Sequence, residues 1–204
     1  MAAIVALSTV LSARIFAEET WHFRVQPEQS RFTIQVGKAG FLKVFGHDHL
    51  VSVAGFQGRV DWQPDAPESS KVSMEVRASS LTVEDPGMKE GERAEVQKEM
   101  EDEALAIDEY PKIGFESTKL DLRKDDHGEL HGNIVGELTL HGVTKRIEIS
   151  LHLTVSQEKL HASGRFELKG SDYRVPRVSG AGGTVKTQDK LKLVFDFLAT
   201  RDES

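Results

Sequence analysis

Apolar and polar residues alternate in separate runs along most of the chain from Trp21 onward. Such runs occupy residues 31–36, 72–76, 134–140, 147–155, 160–168 and 191–197. Alternation with a period of two residues is typical of β-strands that bury one face and expose the other to water. The pattern therefore predicts an all-β protein built from antiparallel strands.

Short polar segments rich in glycine, proline and aspartate separate these runs. Segments 64–67, 125–128 and 141–142 have the composition of tight turns, and segment 180–183 has that of a flexible loop. About eight strands joined in this way predict a closed or nearly closed barrel, because closure removes exposed strand edges. The chain has 204 residues, a length that fits one such domain.

One segment, residues 89–107, breaks the alternation. It is rich in Glu, Lys, Ala and Met, and Val96, Met100, Ala104 and Ile107 fall on one stripe at helical spacing. We expect one amphipathic α-helix of about four turns here. It should lie on the barrel wall or across one end of the barrel.

The apolar rows of the strands define the predicted lumen, and a barrel of about eight strands either fills its interior or holds one small ligand. The candidate ligand-binding residues are Phe32, Ile34, Met74, Phe115, Gly136, Leu138, Ile149, Gly164, Phe166, Leu193 and Phe195. The glycines stand in rows where a filled core would place bulk. They therefore indicate either strand bending or lumen space for a ligand.

Charge and composition argue against several classes of function. The net charge is −7 and the pI is about 5.6, so no basic surface for nucleic acid is expected. The chain has no cysteine, which excludes disulfides, thiolate catalysis and zinc–thiolate sites. No Gly-x-Ser-x-Gly nucleophile motif occurs. We expect a protein that is not an enzyme and carries no cofactor; its oligomeric state is not predicted.

The sequence His47-Asp48-His49 is the sharpest candidate for a metal site. On a strand, His47 and His49 would point to the same face, and two imidazoles with a nearby carboxylate suit zinc, copper or nickel. No third ligand is set by spacing. The other interpretation is a polar rim whose histidines bond to the backbone. We predict no metal site, and a metal-dependent protein using this pair stays an alternative.

The first 17 residues differ from the rest of the chain. Residues 2–13 are small and apolar, and Arg14 is the only charged residue before Glu18. A run of this kind ending in Ala17 is typical of a secretory signal peptide and is too short to span a bilayer stably. We predict a signal peptide at 1–17 and a periplasmic or secreted domain at 18–204 without a transmembrane span. A retained N-terminal anchor is the other interpretation.

Two segments in the second half of the chain resemble hallmark strands of the YceI-like family. Tyr110-Pro-Lys-Ile-Gly-Phe-Glu-Ser117 is similar to the family's Tyr-Pro-x-Ile-x-Phe-x-Ser. Gly136-Glu-Leu-Thr-Leu-His-Gly-Val-Thr-Lys145 is similar to its Gly-x-Leu-Thr-Ile-x-Gly-Val-Thr-Lys. The opening segment 23–36 resembles the family's first strands. Gly37 stands where many members carry a histidine.

This resemblance implies a lipocalin-like β-barrel that holds a long apolar lipid, typically a polyisoprenoid, in its lumen. The implied partner is an isoprenoid or another long-chain amphiphile. Such a ligand binds through the hydrophobic effect, at about 0.8 kcal/mol per buried methylene, and needs few polar groups. A non-catalytic interaction module with a filled core is the remaining alternative.

Overall fold

The computed structural model describes residues 19–39, 49–177, 179–180 and 185–202. Within these ranges the chain forms twelve strands and one α-helix, α1 (Glu90–Glu99). The strands are β1 (Trp21–Val25), β2 (Arg31–Ala39), β3 (His49–Val53), β4 (Phe56–Trp62), β5 (Lys71–Arg77), β6 (Leu81–Val83), β7 (Lys112–Lys124), β8 (Leu130–Leu140), β9 (Val143–Val155), β10 (Lys159–Lys169), β11 (Ser179–Gly180) and β12 (Val185–Arg201).

Eight of these strands close a barrel. They pair in the order β1, β4, β5, β7, β8, β9, β10 and β12, and β12 pairs back to β1. Each pairing is antiparallel. The prediction of an all-β, lipocalin-like antiparallel barrel of about eight strands with one helix is confirmed.

Strand β12 is long enough to pair with two strands along the same edge. Residues 199–201 pair with β1 and close the barrel, whereas residues 186–196 pair with β2. From β2 the sheet continues through β3 to β6. The sheet therefore branches at β12, and β6 is the last strand of the branch.

Helix α1 lies beside β6. The Val83 backbone N–H donates to Gln97 Oε1 at 2.8 Å, and Gln97 Nε2 donates to the Leu81 carbonyl oxygen at 2.9 Å. One glutamine side chain thus occupies the donor and acceptor positions that a further strand would fill. The helix protects an edge that would otherwise be free to pair with another chain.

The helical segment changes type before it ends. After α1 the chain continues as a π-helix over Met100–Leu105 and ends at Ala106, which has a φ of 45°. A π-helix has i→i+5 hydrogen bonds, so the apolar stripe passes from Val96 and Met100 to Leu105, all of which pack against the core. For this reason the stripe continues at Leu105, whereas the sequence had predicted that it would continue at Ala104 and Ile107.

The turns between strands follow the expected chemistry. His141 and Gly142 have φ values of 49° and 70°, and they form the two-residue turn between β8 and β9. Asp125 Oδ1 accepts hydrogen bonds from two backbone N–H groups in the β7–β8 turn. Most of the predicted loop at 180–183 lies outside the described residues.

The predicted signal peptide at 1–17 also lies outside the described residues. Within the part of the chain that the structure describes, no helix combines the length and the apolarity needed to cross a bilayer.

Candidate functional site

The barrel contains a cavity of about 210 Å³. Every described residue that lines it is apolar. The lining includes these predicted lumen residues: Phe32, Ile34, Met74, Phe115, Leu138, Ile149, Phe166, Leu193 and Phe195. Alternation along the strands brings them together, because each occupies the inward row of its strand.

The lining extends along most of the barrel. On β10 it runs from Leu160 to Leu168, a spacing of eight residues that corresponds to roughly 27 Å of strand. Leu105 and Val175 line it near the end where β10 finishes, and Leu122 near the opposite end. An elongated, wholly apolar cavity suits a chain-like ligand better than a compact polar one.

Several phenylalanine rings face the lumen without being fully covered. Phe32, Phe166 and Phe197 line the cavity, yet each is only half-buried. Phe197 lies edge-on to Phe32, with ring centroids 5.6 Å apart, and stacks on Phe195 at 5.0 Å. Incomplete burial of rings that point inward shows that they border space rather than packed atoms.

The glycines predicted for the lumen, Gly136 and Gly164, do not border this cavity. A Cβ atom at Gly164 would lie 2.6 Å from a ring atom of Phe195, and one at Gly136 would lie 2.5 Å from a ring atom of Phe115. Each glycine is therefore covered by a phenylalanine of a neighbouring strand. The arrangement favours close packing at these positions over ligand space, because the rings already occupy the volume.

His49, the described member of the predicted histidine pair, begins β3. Its Nδ1 contacts Oδ2 of Asp85, whose other oxygen accepts the Leu50 N–H at 2.5 Å. The side chains of His49 and Asp85 are 13% and 2% exposed. His47 and Asp48 lie outside the described residues, so the paired-histidine hypothesis stays a prediction.

The candidate residues chosen from the strand alternation did not include several residues that line the cavity. Val60 belongs to a clean alternation in β4 that could have identified it. Leu105 depends on the π-helical segment, and Val175 depends on how the chain turns back after Tyr173. No local periodicity carries that information.

Two phenols stand near the Leu105 end of the barrel, and both stay neutral at physiological pH. Burial, and then the charge of Asp172, raises the pKa of Tyr173 above its ordinary value. The hydrogen bond from Tyr110 to Glu109 raises the pKa of Tyr110. Within the described residues, this end of the lumen adds no ionised group to the cavity lining.

Sequence comparison finds relatives over part of the chain. A UPF0312 protein of Pseudomonas putida strain W619 is 32% identical over 93 residues, and one of strain GB-1 is 31% identical over the same length. Each match covers 45% of this chain and 42% of the relative. The matched segment thus spans less than half the length of these curated relatives.

Solved structures share the architecture over most of the chain. BcnA of Burkholderia cenocepacia has a TM-score of 0.65 at 16% identity, covering 86% of this chain and 99% of that one. A polyisoprenoid binding domain from Saccharophagus degradans has a TM-score of 0.62 at 11% identity, covering 88% and 98%. A Campylobacter jejuni YCEI protein has a TM-score of 0.57 at 19% identity, covering 75% and 85%. At these identities the likeness shows a shared fold.

The family match extends over nearly the whole barrel. The sequence model of the YceI-like domain matches residues 23–199, which run from within β1 to Ala199, where β12 begins to pair with β1. This match, together with the shared fold, shows that the chain belongs to the YceI-like family.

Proposed function

We propose that this protein binds one long-chain amphiphile of the isoprenoid class in the barrel lumen and acts as a carrier or sequestering protein rather than as an enzyme. The observation that carries the proposal is the elongated cavity with its wholly apolar lining. The hydrophobic effect is non-directional, so such a site needs no catalytic or strongly polar groups.

The energetic cost of leaving the lumen empty supports occupancy. At about 24 cal/mol per Å³, an unfilled cavity of 210 Å³ costs about 5 kcal/mol. That is as large as the lower end of the total stability of a typical domain, about 5–15 kcal/mol. An apolar chain that enters the cavity removes this penalty and gains about 0.8 kcal/mol for each methylene that leaves water.

The volume of the cavity constrains how a long chain is held. Ligand pockets usually measure about 300–1,000 Å³, and this cavity of about 210 Å³ is smaller. We propose that lining side chains move aside as the ligand enters. Met74 is suited to this because it is unbranched and adapts its shape readily, and the half-buried Phe166 has open space beside it.

The class of ligand rests on analogy. The Saccharophagus degradans domain with the same fold is described as polyisoprenoid binding, and related barrels often differ in their ligands. The chemistry of the lining supports any long apolar chain. Identification of the bound lipid therefore tests the isoprenoid class separately from lumen binding.

Mass spectrometry of bound lipid tests the proposal. The full chain is purified from its native host without detergent, and an organic extract is analysed. We expect close to one equivalent of an isoprenoid-class lipid. A folded protein that carries no lipid and does not take up an added polyprenol of defined length would contradict lumen binding. A fatty-acyl lipid at the same stoichiometry would retain lumen binding and reject the isoprenoid class.

We further propose that residues 1–17 are a cleaved signal peptide and that the protein acts in the periplasm or outside the cell. The support is the small, apolar character of 2–13 before Ala17. N-terminal sequencing of protein from the native envelope fraction should begin at Glu18. Intact Met1 in the cytosol would reject export, and intact Met1 in the membrane fraction would indicate a retained anchor.

A further inference from the structure

A polar cluster lies on the outer face of the barrel at the β7–β8 hairpin. Asp125, Glu129 and His131 each present a potential ligand atom, and these atoms all lie within 4.8 Å of one another. His131 Nε2 is 2.8 Å from Asp125 Oδ2. Leu122 and Leu130 on the same hairpin pack against the core, so the cluster is separate from the lumen.

The turn holds the Asp125 carboxylate in place. Its Oδ1 accepts the backbone N–H groups of His127 and Glu129, each at 2.9 Å. Its Oδ2 is thereby directed toward His131. The hairpin therefore presents a carboxylate oxygen in a set position beside His131.

A second histidine orients His131 from its other side. His152 on β9 pairs with His131 in the strand register, and their Nδ1 atoms are 2.5 Å apart. The rings meet edge to face, with centroids 4.5 Å apart and an angle of 89°. When His131 donates its Nδ1–H to His152, the lone pair of His131 Nε2 faces Asp125. Metal-ligating histidines are commonly held by such a bond to the second ring nitrogen.

We propose that Asp125, Glu129 and His131 bind one divalent transition-metal ion, with His152 as a positioning residue. A nitrogen ligand beside two carboxylates favours zinc, nickel or copper over magnesium or calcium. Three protein ligands leave further coordination positions to water. Arg123 pairs with His131 across the strands and is a neighbouring cation; the two ligand carboxylates and the adjacent Asp126 outweigh its charge.

The barrel provides a matched control on the same outer surface. His161 Nε2 lies 2.9 Å from Asp196 Oδ1. Side-chain exposure there is 45% and 59%, compared with 36% for His131 and 33% for Asp125. Within the described residues, only the hairpin cluster brings a third ligand atom into range. The His161–Asp196 pair therefore has a similar histidine–aspartate contact but no third potential ligand.

Calorimetric titration of the full chain with Zn²⁺, after removal of metal by chelator, tests the site. We expect one equivalent of Zn²⁺ to bind, Ni²⁺ to compete with it, and Mg²⁺ not to compete. Asp125→Asn keeps an oxygen for the turn and should weaken binding about tenfold or more, as should His131→Gln. His152→Asn should weaken it about tenfold by freeing the His131 ring. His161→Gln should bind as the wild type does.

Further variants cover folding and the competing site. Circular dichroism verifies the fold of each variant, and Glu129→Gln at the exposed end of the turn serves if another variant unfolds. Absence of stoichiometric Zn²⁺ binding would overturn the proposal, as would wild-type affinity in both His131→Gln and Glu129→Gln. Binding lost only in the double variant His47→Ala with His49→Ala would assign the ion to that pair instead.

Discussion

Two phenylalanine rings form the boundary of the lumen at the glycines of β8 and β10. Phe115 covers Gly136, and Phe195 covers Gly164, so that ring atoms occupy the volume that a side chain at either glycine would need. The same rings line the cavity on their other side. The glycines thus allow a large ring to lie close to the next strand, and the ring forms part of the cavity wall.

Substitution of a covered glycine should destabilise the barrel. A methyl group at Gly164 would lie 2.6 Å from both Phe195 and the carbonyl oxygen of Ser150. We expect Gly164→Ala to lower the free energy of unfolding by about 1–3 kcal/mol. Gly114→Ala is the control, because a Cβ there meets nothing within 4 Å, and it should be neutral or stabilise by about 0.5–1 kcal/mol. Equal effects of the two substitutions in urea unfolding would contradict this assignment.

A charge on the inward row should not be tolerated, whereas one on the outward row should. Leu138 lines the cavity and is 8% exposed. Leu138→Glu would place a carboxylate among apolar side chains, and we expect it to cost about 3–5 kcal/mol because the charge has no partner. Thr139→Glu, one position along β8 on the opposite face, loses only the hydroxyl contact with Thr144 and should lower the free energy of unfolding by less than about 1 kcal/mol. Thermal and urea unfolding measure both.

Single residues differ in how well sequence reasoning can place them. Leu138 and Phe166 are predictable because a period of two residues assigns each to a face. The contact between His49 and Asp85 joins residues 36 positions apart, and no spacing rule connects them. The covering of Gly164 by Phe195 likewise depends on the register between β10 and β12.

At the scale of elements, helix α1 and strand β6 act as one unit. Gln97 bonds to the backbone of Leu81 and Val83, which are each 3% exposed. A buried backbone group that loses its partner costs about 1–3 kcal/mol. The helix therefore stays on β6 through directional bonds as well as through the apolar contacts of Val96 and Met100.

Removing this side chain should loosen the strand edge. We expect Gln97→Ala to speed exchange of the Val83 amide hydrogen about tenfold or more, since local opening becomes easier by roughly 1–3 kcal/mol. Lys98→Ala is the control, because Lys98 is 75% exposed and pairs only with Asp102 in the described structure. Hydrogen exchange followed by NMR distinguishes them. Unchanged protection of Val83 in Gln97→Ala would show that packing alone holds the helix.

The short helical turn after β10 should contribute a pH-dependent stability. The hydroxyl and the backbone N–H of Ser171 both donate to Asp189 at 2.7 Å, and these bonds lower the pKa of Asp189. A depressed folded-state pKa stabilises the fold above the unfolded value of about 3.9, and this stabilisation disappears as pH falls through the folded value. The stability lost in Ser171→Ala should therefore be largest near neutral pH and shrink in acid.

The control for this pH effect is Ser156→Ala. Ser156 donates to the Lys159 carbonyl oxygen, a group that does not titrate. The stability lost in Ser156→Ala should be the same near neutral pH and in acid, as measured by urea unfolding. A Ser171→Ala effect that does not vary with pH would contradict the role assigned to Asp189.

The type of each element was more predictable than its detailed form. Alternation identified long strands such as β8 and β9, and helical spacing identified the single helix. The π-helical turn at Met100–Leu105 was not predictable, because one additional residue per turn follows from packing against the barrel rather than from local composition.

For the whole molecule, the branch at β12 decides how the barrel closes. On one edge, residues 190–200 of β12 pair with β10, and on the other edge β12 is shared between β1 and β2. Sequence periodicity predicts strands, but it does not state which strands pair. The approximate strand number followed from the pattern, whereas the pairing order required the three-dimensional structure.

The most direct test of a lipid-filled lumen compares bound lipid in matched variants. Ala162 lines the cavity on β10, and Ser163 is the next residue, facing outward opposite His152 and Asp196. Ala162→Phe adds a ring inside the lumen, whereas Ser163→Phe adds the same ring outside. Lipid per folded chain is measured by mass spectrometry of organic extracts. We expect wild type and Ser163→Phe to carry about one equivalent and Ala162→Phe to fold with clearly less. Wild type without lipid, or an unchanged load in folded Ala162→Phe, would contradict the account.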